Sequence, residues 1–509
     1  MTAIADPTRV VVDVASLAAG GDGVGRVDGL VVFTPRTAPG DRAAVTLTME
    51  GRIGRGRLVA IEHPSADRVP PACAHYEAPD RCGGCQWQHV AIEAQREAKR
   101  RLVQDAFARI GKIPVPLPPI RGGAPWRYRR ALTLAIRRDG TSVRAGLRAH
   151  DDPEAVFALD DCQITESRVL ETWRAILAAS AHLPAGPRLR GTVRWLEAEA
   201  GFVLEGGDAW PALDAFLAAV PGLGAVWWQA EGRRRRIVAD RRTQGLPAAS
   251  FAQVNAEVGA WLHDAVLARV LAFAPESVVD AYSGAGETAA RLAAQGVRVT
   301  AIELDAEASA FAATRLPAPS RAVAATVESA LARALPADVV VLNPPRAGVA
   351  ERVTAALARP GGGARTRGLV YVSCDPATLA RDVGRLVGWR VASLECFDMF
   401  PQTSHLETVC VLEPACAAGV RDQQRVGSGR AGAIRGDGGG ARDDGGARRG
   451  GGSRRRGRGV GAARGGSRGR PGGAHHGWHA PSAPGRAGGR PRGVHAGERR
   501  VVAPRGGDG

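Results

Sequence analysis

Between residues 8 and 62 the chain alternates apolar and polar positions in short stretches, RVVVDVASL, GLVVFTP and RAAVTLTME, broken by GGDGVG, APGD and GRIGRG. Short alternating strands with glycine turns at this spacing predict a small OB-like β-barrel. Residues 121–240 are mixed but β-rich. WRYRRALTLAIRR and GTVRWLEAEAGFVLEGG read as hairpin strands, and 165–182 and 211–220 as helices. From 250 to 414 the pattern changes: apolar runs (SVVDAY, RVTAIEL, DVVVLNPP, GLVYVSC) alternate with Ala/Leu-rich helical stretches. That alternation predicts βαβ units on a parallel sheet. The expected class is α/β, with a barrel over 1–65, a β-rich central domain over 66–245 and a Rossmann-like domain over 246–414.

Composition changes this picture mainly at the end of the chain. The 509 residues hold 68 Lys+Arg against 51 Asp+Glu, a formal charge of +17. Residues 415–509 alone hold 20 Arg, no Lys and six acidic residues, so this segment carries +14 of it, along with 30 of the 66 glycines. Such a segment has almost nothing apolar to bury and is expected to be a disordered Arg/Gly-rich tail. Arg/Gly tracts of this type can bind single-stranded nucleic acid. Only two lysines occur, Lys99 and Lys112, a bias toward Arg that makes the basic balance by itself weak evidence for a nucleic-acid partner. No window holds 18 consecutive apolar residues, which excludes a transmembrane helix. The first residues, MTAIADPTRVVVDV, lack a cationic start followed by an apolar run, so a cytoplasmic protein without a membrane partner is expected.

Three of the eight cysteines sit together in CAHYEAPDRCGGCQWQH, as Cys73, Cys82 and Cys85. Cysteines this dense in a cytosolic chain point to a metal site rather than disulfides. Zinc would take His75 or His89 as its fourth ligand. An iron–sulfur cluster needs four thiolates, and Cys162 in LDDCQI is the candidate for the fourth. Spacing alone leaves both open.

SVVDAYSGAGETAARLA reads as a strand, a glycine turn at Gly284 and Gly286, and a helix. Such a turn lets backbone approach a ligand at the helix N-terminus. Glu303 ends the next strand, where an acid accepts the ribose hydroxyls of an adenosine cofactor. Position 289 is Ala289, so the full G-x-G-x-x-G of a dehydrogenase is missing and S-adenosylmethionine is the better reading. The next motif, VVVLNPPRAG, places Asn343, Pro344, Pro345 and Arg346 in a rigid loop at the carboxyl edge of the sheet, because two prolines cannot continue a central strand. GLVYVSC delivers Cys374 to the same edge, facing the site as a candidate nucleophile.

Together these motifs resemble the RNA uracil-5-methyltransferase family, enzymes that make 5-methyluridine in ribosomal or transfer RNA. The matching pieces are GGDGVGRVDGLVVFTPRTAPGD, CGGCQWQH, FAQVN at 251–255, DAYSGAGE, NPPRAG, VSCDPATLARD and FPQTSHLE, in family order over residues 8–413. The resemblance implies a class I methyltransferase domain, and a TRAM barrel that binds RNA at the N-terminus. It also implies a four-iron–four-sulfur cluster on Cys73, Cys82, Cys85 and Cys162, with a structural rather than redox role. Cys374 matches the family's nucleophile and Glu407 its general base. Gln253, Tyr282, Gly284, Glu303 and Asn343 match positions on the cofactor side. The implied partner is RNA, 23S rRNA ahead of tRNA, and the implied state a monomer.

The chemistry explains these residue types. Uracil C5 is too weak a nucleophile to take a methyl group directly, so a thiolate first adds at C6 and makes C5 an enolate carbon. After methyl transfer a carboxylate must remove the C5 proton before the thiolate leaves. The target base must leave its stack to enter such a pocket. Asn343 and Arg346, at the sheet edge, are placed to hold the uracil or its enolate charge. Three positions depart from the family pattern: Asn343 where many members carry Asp, SCDP where SCNP is usual, and YSG where YCG is usual. The competing readings are an RNA-binding or RNA-folding protein with an inactive methyltransferase domain, and an iron–sulfur electron carrier.

Overall fold

The computed structural model describes residues 8–415, apart from 78, 141, 151, 153, 187, 197–198, 243–252 and 359–365. The tail expected over 415–509 lies, from 416 onward, outside the described residues, as do Phe251 and Ala252 of the FAQVN motif. Strands β1 (Thr8–Leu17), β2 (Gly23–Val27), β3 (Leu30–Thr34), β4 (Arg42–Glu50) and β5 (Ile53–His63) close a barrel in the order β1-β2-β3-β5-β4. Val12, Val32, Ala43 and Val45 fill it. GGDGVG and GRIGRG, expected as breaks, lie partly inside strands. A Cβ on Gly23 would fall 2.0 Å from the Thr37 hydroxyl, and one on Gly56 2.4 Å from that of Thr34. These glycines mark close backbone approach in a small barrel rather than turns.

After the barrel come the cysteine loop, α1 (Ile92–Ala106) and the short β6 (Ile120–Gly122). The central sheet follows: β7 (Ala131–Asp139), β8 (Ser142–Arg148), β9 (Val156–Ala158), α2 (Ser167–Ala178), β10 (Arg188–Leu196), β11 (Glu199–Glu205), α3 (Leu213–Ala219), β12 (Leu223–Gln229) and β13 (Arg236–Asp240). The hairpins β7–β8 and β10–β11 begin on the two stretches read as strands. α2 and α3 cover one face, burying Trp173 and Phe216 against Phe202, Val193 and Leu204. The rings of Trp173 and Phe202 meet edge to face at 5.8 Å.

The third layer holds α4 (Ala256–Leu271), β14 (Ser277–Ala281), α5 (Glu287–Ala294), β15 (Arg298–Glu303), α6 (Ala306–Arg315), β16 (Arg321–Ala324), α7 (Val327–Ala334), β17 (Val339–Leu342), α8 (Glu351–Leu357), β18 (Gly368–Ser373), α9 (Pro376–Arg385), β19 (Trp389–Asp398) and β20 (Glu407–Pro414). The strand order is β16-β15-β14-β17-β18-β20-β19-β6. Every residue of β14, β17 and β18 is buried, as a parallel sheet covered on both faces requires. β20 runs antiparallel between β18 and β19. Residues 92–122, within the stretch expected as central domain, pack here instead. α1 lies against α9, and β6 pairs with β19, Ile120 opposite Cys396. Among the described residues no helix is long and apolar enough to cross a membrane.

Candidate active site

The sheet order reverses between β15-β14 and β17-β18, and ligands of open α/β sheets bind in the crevice beyond the strand ends at such a point. β14 leads into Tyr282 and then Gly284 and Gly286, all three at positive φ (62°, 56° and 76°). This curl lets α5 start directly behind the turn. The two carboxylate oxygens of Glu303 accept from Gly284 N (2.9 Å) and Asp305 N (2.8 Å), holding the turn to the end of β15. Tyr282 is half-buried, with its hydroxyl 3.5 Å from Glu328. Asn343 is exposed at the sheet edge, its amide bonded to Ala281 O at 3.3 Å.

Three buried polar atoms of this region have no partner among the described residues: Gln253 Oε1, Asp280 Oδ2 and Ser283 Oγ. Burial holds the Asp280 carboxyl up to about 7. Asp280 opens the DAYSGAGE motif but is not singled out in sequence, since an acid inside an apolar strand shows its burial only in the fold.

The second half of the crevice is assembled by strand register. β18 and β20 pair Ser373 with Thr408, so Cys374 lies just past the end of the one strand where Glu407 opens the other, although 33 positions separate them in sequence. Glu407 is buried at 5 % exposure, and burial holds its carboxyl up to about 8, against the lowering pull of Arg346. The Cys374 thiol is pushed up to about 12, first by burial and then by the charge of Glu407, while the Arg346 guanidinium opposes this by charge and by a hydrogen bond. Cys374, Glu407 and Arg346 are therefore within each other's field. His405 lies in the loop just before β20 rather than within the strand.

The NPPRAG loop and the cysteine turn are braced to one helix. Arg381 of α9 donates to Ala347 O (2.7 Å), and the buried Asp382 accepts from Val349 N (3.0 Å) and the Tyr371 hydroxyl (2.8 Å). Gly348 sits at φ 77°, where a Cβ would strike Asp382 and Thr378. Asp375 caps α9 by accepting from Thr378 N at 2.8 Å, with Pro376 in the first turn. Asn and Asp cap equally well, which explains why SCDP can stand for SCNP. Asp375→Asn is expected to change stability by less than about 0.5 kcal/mol, whereas Asp375→Ala costs about 1 kcal/mol by chemical denaturation.

The four cysteines converge. Cys73, Cys82 and Cys85 are each raised first by burial, Cys82 to about 12, and each also feels the charge of Cys162. All four are free thiols. Gly84 N lies 3.4 Å from Cys82 Sγ, the amide approach that the C-G-G-C turn permits. Among the described residues no group of three or more His, Cys, Asp or Glu is spaced to hold a single metal ion. The two histidines considered as ligands each have Nδ1 engaged, and His75 Nε2 also lies 3.4 Å from Asp160 N. His75 Nδ1 pairs with Asp80 (2.6 Å), and His89 Nδ1 with the Tyr76 hydroxyl (2.7 Å).

The arginines of WRYRR at 126–130 and of the RRRR run at 233–236 have different surroundings. In WRYRR, Arg127 forms a fork with Asp161 (2.7 and 2.6 Å) and donates to Cys162 O, Arg130 lies 3.8 Å from Glu166, and Tyr128 is buried with its hydroxyl on Pro401 O. These contacts tie the 126–130 segment to residues 161–166 and to Pro401. Arg233–Arg236 instead lie mostly exposed where β12 turns into β13, with Arg236 over the Trp228 ring at 5.4 Å.

A family model described as tRNA (Uracil-5-)-methyltransferase matches residues 331–415, the span that holds Asn343, Arg346, Cys374 and Glu407. The chain is 33% identical over 440 residues to the 23S rRNA (uracil(1939)-C(5))-methyltransferase RlmD of Chromohalobacter salexigens, covering 80% of this chain and 90% of that protein. An uncharacterized RNA methyltransferase of Streptomyces coelicolor is 31% identical over 436 residues, covering 79% of this chain and 92% of the relative. Among solved structures, the Pyrococcus abyssi tRNA (uracil-54, C5)-methyltransferase in complex with S-adenosyl-L-homocysteine superposes with a TM-score of 0.59. It is 22% identical, and the match covers 79% of this chain and 99% of that one, a likeness of fold. With relatives of this identity matched over nearly their whole length, the chain belongs to the family of S-adenosylmethionine-dependent RNA uracil-5-methyltransferases.

Proposed function

We propose that this enzyme methylates C5 of a uridine in RNA through a covalent adduct between Cys374 and C6 of the base, with Glu407 removing the C5 proton. The observation that carries this reading is the β18–β20 pairing, which ends at Ser373 and Thr408 and so leaves Cys374 and Glu407 at neighbouring strand ends, both within the field of Arg346. The Cys374 sulfur adds to C6 and the electron pair moves to O4. C5 then displaces the methyl group from the sulfonium, leaving S-adenosylhomocysteine. Glu407 takes the C5 proton, and the electron pair of that bond re-forms C5=C6 as the thiolate leaves. Arg346 offsets negative charge at both the thiolate and the enolate. Gln253, Tyr282, Gly284, Glu303 and Asn343 line the cofactor side, and the unpartnered atoms of Gln253, Asp280 and Ser283 favour a polar ligand there. Asn343 and Arg346, both exposed at the mouth, hold the uracil edge.

The relative from Chromohalobacter salexigens is named for a 23S rRNA uridine, which favours ribosomal RNA over tRNA as substrate. The barrel serves as a TRAM-type RNA-binding module, and the exposed arginines at 233–236 contact phosphate. The enzyme acts as a cytoplasmic monomer. Incubating it with labelled S-adenosylmethionine and RNA from a strain lacking its gene tests this: 5-methyluridine should appear in 23S rRNA, and label in another base would contradict the assignment.

Cys73, Cys82, Cys85 and Cys162 would hold a four-iron–four-sulfur cluster, which supplies a rigid crosslink between the 73–85 loop and the central sheet. Four mutually influencing thiols favour thiolate ligation over zinc with a histidine. Anaerobically purified protein is expected to contain iron and acid-labile sulfide together; zinc without sulfide would overturn this.

A further inference from the structure

All but two of the chain's 68 cationic side chains are arginine, and one of the two lysines, Lys99, is fully buried. Its neighbours explain the exception. Gln95 and Lys99 stand one helical turn apart on the inner face of α1. Lys99 Nζ meets Asp398 Oδ1 at 2.5 Å and donates to Phe400 O at 3.0 Å. Gln95 donates to Gln402 Oε1 (3.0 Å) and accepts from Gln402 N (2.9 Å). Trp87 closes the other side: its amide donates to Gln402 O (3.0 Å), and its ring lies 5.9 Å from the ammonium. Arg96 also reaches Asp398, at 3.4 Å on the second oxygen, and keeps Glu93 and Gly123 O as further partners.

The contacts of Lys99 with Asp398 and Phe400, of Gln95 with Gln402 and of the Trp87 amide with Gln402 all fall on one segment, 398–402. Asp398 ends β19 next to Phe397, which pairs with Glu407 across the ladder, and the chain returns from 402 to begin β20 at Glu407 itself. The charge of Lys99 also reaches His405 in the same loop. A compact ammonium meets this carboxylate oxygen and carbonyl without the additional donors that a planar guanidinium would bring into a buried site.

We propose that Lys99, acting through Asp398 and the backbone of loop 399–406, is a positioning residue that sets the Glu407 carboxylate against the base bound at Cys374. The inference rests on the reading of Glu407 as the base for the C5 proton. Loss of the clamp displaces Glu407 without touching the thiol or the cofactor turn. Adduct formation and methyl transfer then proceed while proton removal slows, and the methylated enzyme–RNA adduct accumulates. A role in folding alone would lower stability without trapping an adduct.

Lys99→Met by itself leaves the buried Asp398 with only Arg96, at 3.4 Å, and loses stability, so the test uses Lys99→Met/Asp398→Asn, which removes both charges and leaves Arg96 an acceptor. In the full chain, this variant is compared with Glu407→Gln for turnover, KM for RNA, thermal unfolding, and denaturant-stable enzyme–RNA adduct on gels. The expected result is a folded double variant with KM within about twofold of the parent, turnover lower by roughly 10²-fold, and adduct accumulating as in Glu407→Gln. If the double variant turns over at the parent rate without adduct while Glu407→Gln accumulates it, the clamp is refuted and the base assignment stands. If Glu407→Gln itself turns over normally, the base assignment fails and the clamp falls with it. Gln95→Met provides a milder second variant, expected to show the same adduct with a smaller loss of turnover.

Discussion

Cys374→Ala is expected to abolish methyl transfer to RNA, a fall on the order of 10⁴-fold or more, the scale at which removing a nucleophile disables a set of groups that act together. Without the sulfur at C6, C5 of uracil carries no enolate character and the sulfonium methyl group has no competent acceptor. The loss should be in turnover. Cys374 is half-buried at the end of β18, before a helix capped by Asp375, so truncation to Ala leaves the cap, the NPPRAG brace and the cofactor turn in place. RNA binding by filter retention and the melting temperature should both remain close to the parent. A variant that still forms 5-methyluridine would exclude the thiolate route.

Glu407→Gln should stop the reaction one step later. The amide cannot take the C5 proton, so turnover falls by roughly 10²–10⁴-fold while a methylated Cys374–RNA adduct builds up, visible as a band that survives denaturation. The pH dependence follows from the same carboxyl. Burial raises Glu407 to about 8, and a base must be ionised, so release of product should speed up as pH rises through about 8 in the parent. This limb should vanish in Glu407→Gln. Ionised Glu407 in turn holds the Cys374 thiol up, and Arg346 moderates both. Arg346 therefore keeps two opposed acids workable in one pocket.

Much of the nucleotide-binding layer was legible in the chain because burial on both faces leaves uninterrupted apolar runs: VVVL and GLVYVS are β17 and β18 almost residue for residue. Glycines were legible where they curl a turn, as at Gly284 and Gly286. They misled in the barrel, where Gly23 and Gly56 admit a neighbouring side chain into a strand. The nearness of Cys374 to Glu407 is invisible to spacing, since it exists only because β20 inserts antiparallel between β18 and β19. The least legible part was the support. Gln95 and Lys99 meet partners about 300 positions away, and no local pattern marks a buried polar stripe on α1 as a brace for a distant loop. Arg127 and Arg130 pair with Asp161 and Glu166, and an ion pair closed by tertiary packing looks in sequence like a basic run.

The most direct measurement is mechanism-based trapping. RNA substrate carrying 5-fluorouridine at the target position, incubated with the enzyme and S-adenosylmethionine, should give a stoichiometric adduct, because fluorine replaces the proton that Glu407 must remove. Proteolysis and mass spectrometry should place the methylated fluorouridine on the peptide containing Cys374. Enzyme that methylates ordinary RNA but forms no adduct with the fluorinated substrate, or forms one at another residue, would contradict the thiolate mechanism.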